Sequence, residues 1–216
     1  MREEAIPLWI LGCGSQARYV IEIARRSGVF EVVGISDVEG SENVGKLVNG
    51  IQIVCEVSDL ASHFPSAPGQ IVIAYGENSK KRVLADHFQS LGYRFATVIS
   101  PEAYISEFAT IGKGTIVNPM VSIMPNANIG SHVIIHSQSV IEHDCVIRDY
   151  ANIGPGVCLA GNVQIGEETY IYTGASVIPK VRIGARSAVG AGAAVIRDVP
   201  DRVKVAGVPA EIFEKC

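Results

Sequence analysis

The sequence predicts a chain of two different classes: an α/β, Rossmann-like domain over residues 1–100 and an all-β parallel β-helix of hexapeptide repeats over residues 101–216. Three observations carry that prediction. An aliphatic residue recurs every six positions from Ile105 to Val195, sixteen times without a slip. The N-terminal third reads strand, glycine-rich turn, helix, strand. The composition combines 22 glycines with only 6% aromatic residues, so the core must be filled by small and β-branched side chains rather than by large rings.

In the first domain, Leu8–Leu11 is a short apolar strand, followed by the turn Gly12-Cys13-Gly14-Ser15-Gln16-Ala17. Helical spacing then runs through Val20, Ile21, Ile23 and Ala24 to Gly28, and a second strand, Val32–Ile35, ends at Asp37. Further strands are expected at Ile51–Val54, Ile71–Tyr75 and Phe95–Val98, with a helix over Ser79–Leu91. Strands alternating with helices imply a small parallel sheet. Ser100-Pro101 marks the boundary, because proline stops the last strand just before the hexads start.

In the second domain, a further series lies four residues after each aliphatic position: Ala109, Thr115, Val121 and onward to Val199, every member small or β-branched. Neither a helical period nor simple alternation produces this pattern, whereas three hexads make one 18-residue triangular coil. The aliphatic residue fills the prism, the small residue follows the bend, and Gly, Asn and Asp are expected at the corners.

Charge and cysteine usage narrow the function. Net charge is −4, with nine basic and eleven acidic residues on each side of residue 100, so nucleic acid is not an expected partner. Cys13, Cys55, Cys145, Cys158 and Cys216 are odd in number and form no CxxC pair, which suits a reducing cytoplasm. No apolar run reaches the roughly 18 residues of a spanning helix.

Gly12-x-Gly14-x-x-Ala17 follows a strand, opens a helix, and has Asp37 about 20 residues on, the context of a dinucleotide fingerprint. NAD, a nucleotide-linked sugar, or a turn without ligand all remain open on this motif. A domain too short for both halves of a full Rossmann fold counts against NAD. Tyr75-Gly76-Glu77-Asn78 falls at the carboxyl edge of the sheet, where ligands of open α/β sheets bind. Among the histidines, His132, His136 and His143 lie in the repeats at gaps of 4 and 7, which do not supply the spacing of a zinc site, so no metal is expected. His143 occupies an outward position with Asp144 next to it and stacks between Pro125 and Gly161, eighteen residues before and after. A carboxylate beside an exposed imidazole can orient the ring and raise its basicity.

Glu142-His143-Asp144-Cys145, Leu159-Ala160-Gly161-Asn162-Val163, the closing Gly207-Val208-Pro209-Ala210 and the glycine-rich N-terminal turn together resemble the sugar acyltransferases of the sialic-acid O-acetyltransferase (NeuD) type. That group includes the bacillosamine (PglD) and perosamine (PerB) N-acetyltransferases. The resemblance implies a left-handed β-helix, a homotrimer, a nucleotide-linked amino sugar on the N-terminal domain, and acetyl-CoA in the groove between adjacent helices. It assigns His143 as general base and Asp144 as the residue that increases its basicity. Gly14, Ser15, Gln16, Asp37, Gly76, Asn78 and His136 fall on the substrate side, and Asn152, Thr173, Gly174 and Ala191 on the coenzyme side. Three departures stand out. Gln16 replaces a histidine common in relatives, His136 stands where they carry asparagine, and Asn152 stands where they carry a histidine touching the acetyl thioester. Either His136 takes over the polar role or both changes retune substrate contacts.

The function implied is acetyl-CoA-dependent N-acetylation of a nucleotide-linked 4-amino sugar of the 4-amino-4,6-dideoxyhexose type, in surface glycan or glycoprotein biosynthesis. The competing expectations are a sialic-acid-type sugar O-acetyltransferase and a non-catalytic trimeric nucleotide-binding scaffold.

Overall fold

The computed structural model describes residues 4–65 and 69–215; Cys216 lies outside them. The chain divides into two compact units at Pro101 and Glu102.

The first unit is a parallel sheet of β1 (Ile6–Leu11), β2 (Phe30–Asp37), β3 (Leu47–Val48), β4 (Ile51–Glu56) and β5 (Gln70–Ile73), in the order β3-β4-β2-β1-β5. Only β3 runs antiparallel, as a hairpin arm on β4. Leu8, Ile10 and Leu11 of the central β1 are fully buried, as a run of consecutive apolar residues requires when both faces of a parallel sheet are covered. Helix α1 (Ser15–Ser27) buries Ala17, Val20, Ile21, Ile23 and Ala24. It stops at Gly28, whose left-handed backbone (φ 68°) lets its amide donate to the Ala24 carbonyl. A one-turn helix, α2 (Leu60–His63), and α3 (Asn78–Ser90) complete the unit.

Two expectations shift here. The fifth strand ends at Ile73 rather than Tyr75, and Phe95 makes only an isolated bridge to Ile71, with the regular strand β6 confined to Val98–Ile99. The expected strand at Ile51–Val54 is β4, whereas its hairpin arm β3 and the helix α2 carry too little apolar periodicity to be seen in the sequence.

The second unit is a parallel β-helix with three faces of two-residue strands, each paired in register with the strand 18 residues on. Ile123 pairs with Ile141 on the first face, Ile129 with Ile147 on the second, and Ile135 with Ile153 on the third. These aliphatic residues are at most 2% exposed and fill the prism. Val121, Ala127, Val133, Ser139, Cys145, Ala151 and Val157, the small series, are equally buried just past each bend.

The corners depart from expectation. Gly, Asn and Asp do take the left-handed position at Gly114, Asn126, Asp144, Gly156 and Asn162, but so do Met120, His132, Gln138, Tyr150, Glu168, Lys180 and Arg186. The cost of positive φ in an ordinary residue, about 1–2 kcal/mol, is offset coil by coil. All of these ordinary residues but Met120 turn the amide onto the preceding coil, as Tyr150 N–H does to Ser131 O (2.9 Å) and Lys180 N–H to Gly161 O (3.1 Å). After the last full coil, Val203–Ala206 pairs in parallel with Ala188–Val189, and antiparallel Glu211–Lys215 ends the sheet.

Candidate active site

The most reactive arrangement stands on the corner between the first and second faces. Strand Val140–Ile141 enters it, and Cys145 leaves it pointing inward, fully buried, its thiol donating to Ala160 O at 3.2 Å. With Ile141 and Cys145 both committed to the core, Glu142, His143 and Asp144 must face outward. Their exposure follows from the repeat: the His143 and Asp144 side chains are 55% and 44% exposed. Asp144 takes the left-handed position (φ 58°), which swings its carboxylate back to the ring, and His143 Nδ1 lies 2.7 Å from Asp144 Oδ2. That hydrogen bond, with a second from Asn126 Nδ2 to Asp144 Oδ1 (3.2 Å), holds the Asp144 carboxyl below the usual carboxylate range.

An ionised carboxylate can only accept, so Nδ1 carries the proton and Nε2 presents its lone pair. Nε2 lies over Gly161: a Cβ added there would come within 2.5 Å of it. Glycine is required at this position by close approach, since Gly161 is not among the positive-φ residues. No thiol competes as nucleophile at this corner, because burial pushes Cys145 up to about 11.

The opposite corner of the same face carries His136, Thr173, Gly174 and Ala191. Thr173 and Ala191 occupy one column of exposed residues, tied by Gly192 N–H to Thr173 O (2.9 Å), with Gly174 beside Thr173. His136 Nδ1 lies 3.5 Å from the amide of buried Asn118, one coil earlier. Asn152 is on the adjoining third face, paired with Ile134 and 5% exposed. His143 and the Thr173–Ala191 column therefore sit at the two edges of one face. Six residues of nearly extended chain span that edge-to-edge distance, on the order of 20 Å.

In the first unit, the predicted residues gather at the carboxyl edge but not with equal access. Gly14, Ser15 and Gly76 are exposed. Gln16 and Asn78 are 5% and 4% exposed, so they brace the turns and offer a ligand little surface. Asp37, also 5% exposed, accepts at Oδ2 from Ser41 Oγ (2.5 Å) and Asn43 Nδ2 (3.0 Å). Burial alone would raise its carboxyl; these hydrogen bonds win and bring it down to about 2. Its first task is to shape the 38–43 loop. Beside it, burial pushes Cys13 up to about 11, so that thiol stays protonated. Gly12 (φ 104°) makes the turn, and a side chain there would press on the Tyr75 ring.

Sequence reasoning missed the walls of this edge. Val38, Glu39, Val57, Tyr75, Lys80 and Leu84 line a crevice of about 310 Å³, with the Lys80 ammonium 4.7 Å from the Tyr75 ring centre. They come from the ends of β2, β4 and β5 and from α3, and no local spacing connects them. Only Tyr75 had a signal, its place in the run before Gly76. Among the described residues, no group of three or more metal-ligating side chains is assembled, and no helix is long and apolar enough to cross a membrane.

Comparison with known proteins covers both units. Residues 7–88 match the PglD N-terminal domain and residues 126–161 the bacterial transferase hexapeptide (six repeats). A curated relative, GDP-perosamine N-acetyltransferase of Escherichia coli O157:H7, is 30% identical over 171 residues, covering 76% of this chain and 75% of its own. Among solved structures, a histidine-to-asparagine variant of perosamine N-acetyltransferase from Caulobacter crescentus, in complex with CoA and GDP-perosamine, superposes with a TM-score of 0.91 at 33% identity over 97% of both chains. The acetyltransferase domain of PglB from Neisseria gonorrhoeae, in complex with acetyl coenzyme A, gives 0.89 at 29% identity over 97% of this chain and 100% of that one. With its α/β unit, its left-handed β-helix and these relatives, the chain belongs to the NeuD/PglD/PerB-type family of sugar acyltransferases.

Proposed function

We propose that the protein transfers the acetyl group of acetyl-CoA directly to the amine of a nucleotide-linked 4-amino sugar, with His143 as general base. The observation that carries this reading is the 2.7 Å His143–Asp144 hydrogen bond on an exposed corner, which fixes the ring and leaves Nε2 free. The amine attacks the thioester carbonyl carbon, a C–N bond forms, and the C–S bond breaks. The amine proton passes to His143 Nε2 and on to the departing thiolate, a form of catalysis worth about 10²–10⁴ in rate. Acetyl-CoA is a co-substrate, and no residue is acylated on the way.

The active assembly is a homotrimer. The outward residues of the first face, Tyr104, Ser122, Val140, Cys158, Ser176 and Ala194, include no charge, whereas the second face carries Arg182 beside Arg148, Asp149 and Glu167. Packing the uncharged face of three copies around one axis brings the His143 corner of each copy to the Thr173–Ala191 corner of its neighbour. Acetyl-CoA then lies between two copies, with Asn152 and His136 on the side opposite the base. A cytoplasmic location, where thiols remain reduced, suits the free Cys13, Cys55, Cys145 and Cys158.

Gly14, Ser15, Gly76 and the crevice under Tyr75 take the nucleotide, and a GDP-linked 4-amino-4,6-dideoxyhexose is the first acceptor to supply. Incubation with acetyl-CoA should release free thiol and yield an acetylated sugar that survives mild base, as an amide does. A base-labile ester would establish O-acetylation instead, and absence of acetyl-CoA binding by calorimetry would leave a scaffold.

A further inference from the structure

The His143–Asp144 pair does not explain its own orientation, because Asp144 is a corner residue whose side chain is itself 44% exposed. The carboxylate has two oxygens. Oδ2 serves the ring, and Oδ1 accepts from Asn126 Nδ2 at 3.2 Å. Asn126 is the residue 18 positions earlier, at the same corner of the preceding coil, and it shares the unusual backbone of Asp144, with φ 60° against 58°. Matching backbones one coil apart point the two side chains the same way. Asp144 N–H is also tied to the preceding coil, through Pro125 O at 3.1 Å. Backbone and carboxylate of Asp144 are thus both held by the Pro125-Asn126 dipeptide.

We propose that Asn126 is a positioning residue of the acetyl transfer, setting the plane of the Asp144 carboxylate and, through it, the direction of His143 Nε2. This inference rests on the reading of His143 as the base. An amide is suited to the task. It donates one hydrogen bond without carrying charge, so it orients the carboxylate without drawing it away from the imidazole as a lysine or arginine would. Asparagine also tolerates positive φ better than most side chains, so one residue makes the bend and supplies the donor.

The test uses Asn126→Gly, which keeps a residue at ease with the left-handed corner, as Gly156 and Gly174 are elsewhere in the helix. kcat should fall roughly three- to tenfold, the range one such hydrogen bond can supply, with KM for both substrates unchanged. In the Asp144→Asn background the same change should cost nothing more, because a residue acting through Asp144 has lost its route. Asn126→Asp, similar in size but presenting a second carboxylate to Asp144, should lose more than the glycine variant. Wild-type kcat in both variants, or an undiminished further loss in the Asp144→Asn background, overturns the role of Asn126. If His143→Ala retains full turnover, the base itself is wrong and the proposal falls with it; an inactive His143→Ala beside unaffected Asn126 variants refutes Asn126 alone.

Discussion

The N-terminal unit sinks two of its charged groups into the fold, whereas the β-helix stands its His143–Asp144 pair on a corner. Lys81 is fully buried and Asp37 only 5% exposed, while His143 and Asp144 keep about half of their side-chain surface. The difference follows from how each unit is built. A helix on a sheet covers whatever its inward face carries, so a titratable group there must pay desolvation and serves architecture. At the His143 corner the coil buries the aliphatic position and the small position that follows the bend, so the residues between them reach solvent while their backbone is fixed by the neighbouring coils. That combination of rigid support and open access is what proton transfer to a bound substrate needs.

The sharpest way to break this comparison is to show that the corner charges do no chemistry. His143→Ala should lower turnover by two orders of magnitude or more with an unchanged melting temperature; a variant that keeps near-normal turnover removes the base. Gly161→Ala follows, because the new methyl would occupy the space of Nε2; kcat should drop by about tenfold to a hundredfold, as expected when a reacting group is displaced by about 1 Å. Asp144→Asn should lower kcat by about tenfold, since the ring loses the carboxylate that fixes it at 2.7 Å. Unchanged turnover would reduce Asp144 to a bend.

Mixing subunits sharpens the same point at the level of assembly. His143→Ala and Gly174→Trp proteins, each inactive, should regain roughly a quarter of wild-type activity when co-refolded in equal amounts, because one site in four then pairs two intact corners. No recovery would place both corners in one copy.

The smallest effect belongs to the buried side of the comparison. Burial lowers Lys81 from 10.5 to about 7. Below pH 7 both folded and unfolded chains carry the proton, and the folded state bears the full cost of the buried ammonium. Between pH 7 and 10.5 the unfolded chain binds more protons, so this residue makes stability rise with pH. Lys81→Met should flatten that rise relative to wild type in denaturation midpoints measured across the interval, with activity at neutral pH little changed. Parallel curves for the two proteins would show that Lys81 keeps its proton in the folded state as it does in the unfolded one.

Legibility differed between the units for a physical reason. The β-helix has one rule per position, so its strands, its register of 18 and the outward placement of His143 could be read from spacing alone. What spacing did not show was the breadth of residues at positive φ, since backbone hydrogen bonds to the preceding coil offset that strain for Gln138, Tyr150 and Arg186 as they do for glycine. In the α/β unit the turn Gly12–Ala17 and Asp37 were legible, but the crevice under Tyr75 was not. Its walls are separate strand ends brought together only by the β4-β2-β1-β5 order.

By itself, then, the sequence determined the class of both units, the repeat, and the identity of the exposed histidine beside a carboxylate, because each is written in local period or local neighbourhood. Tertiary structure decided which oxygen of Asp144 faces the ring, that Asn126 takes the other, that Gly161 makes room for Nε2, and that Asp37 is first committed to its own loop. Apart from the adjacent His143–Asp144 pair, these are contacts between residues 4 to 18 positions apart, and they exist only once the coils are stacked and the loop is closed.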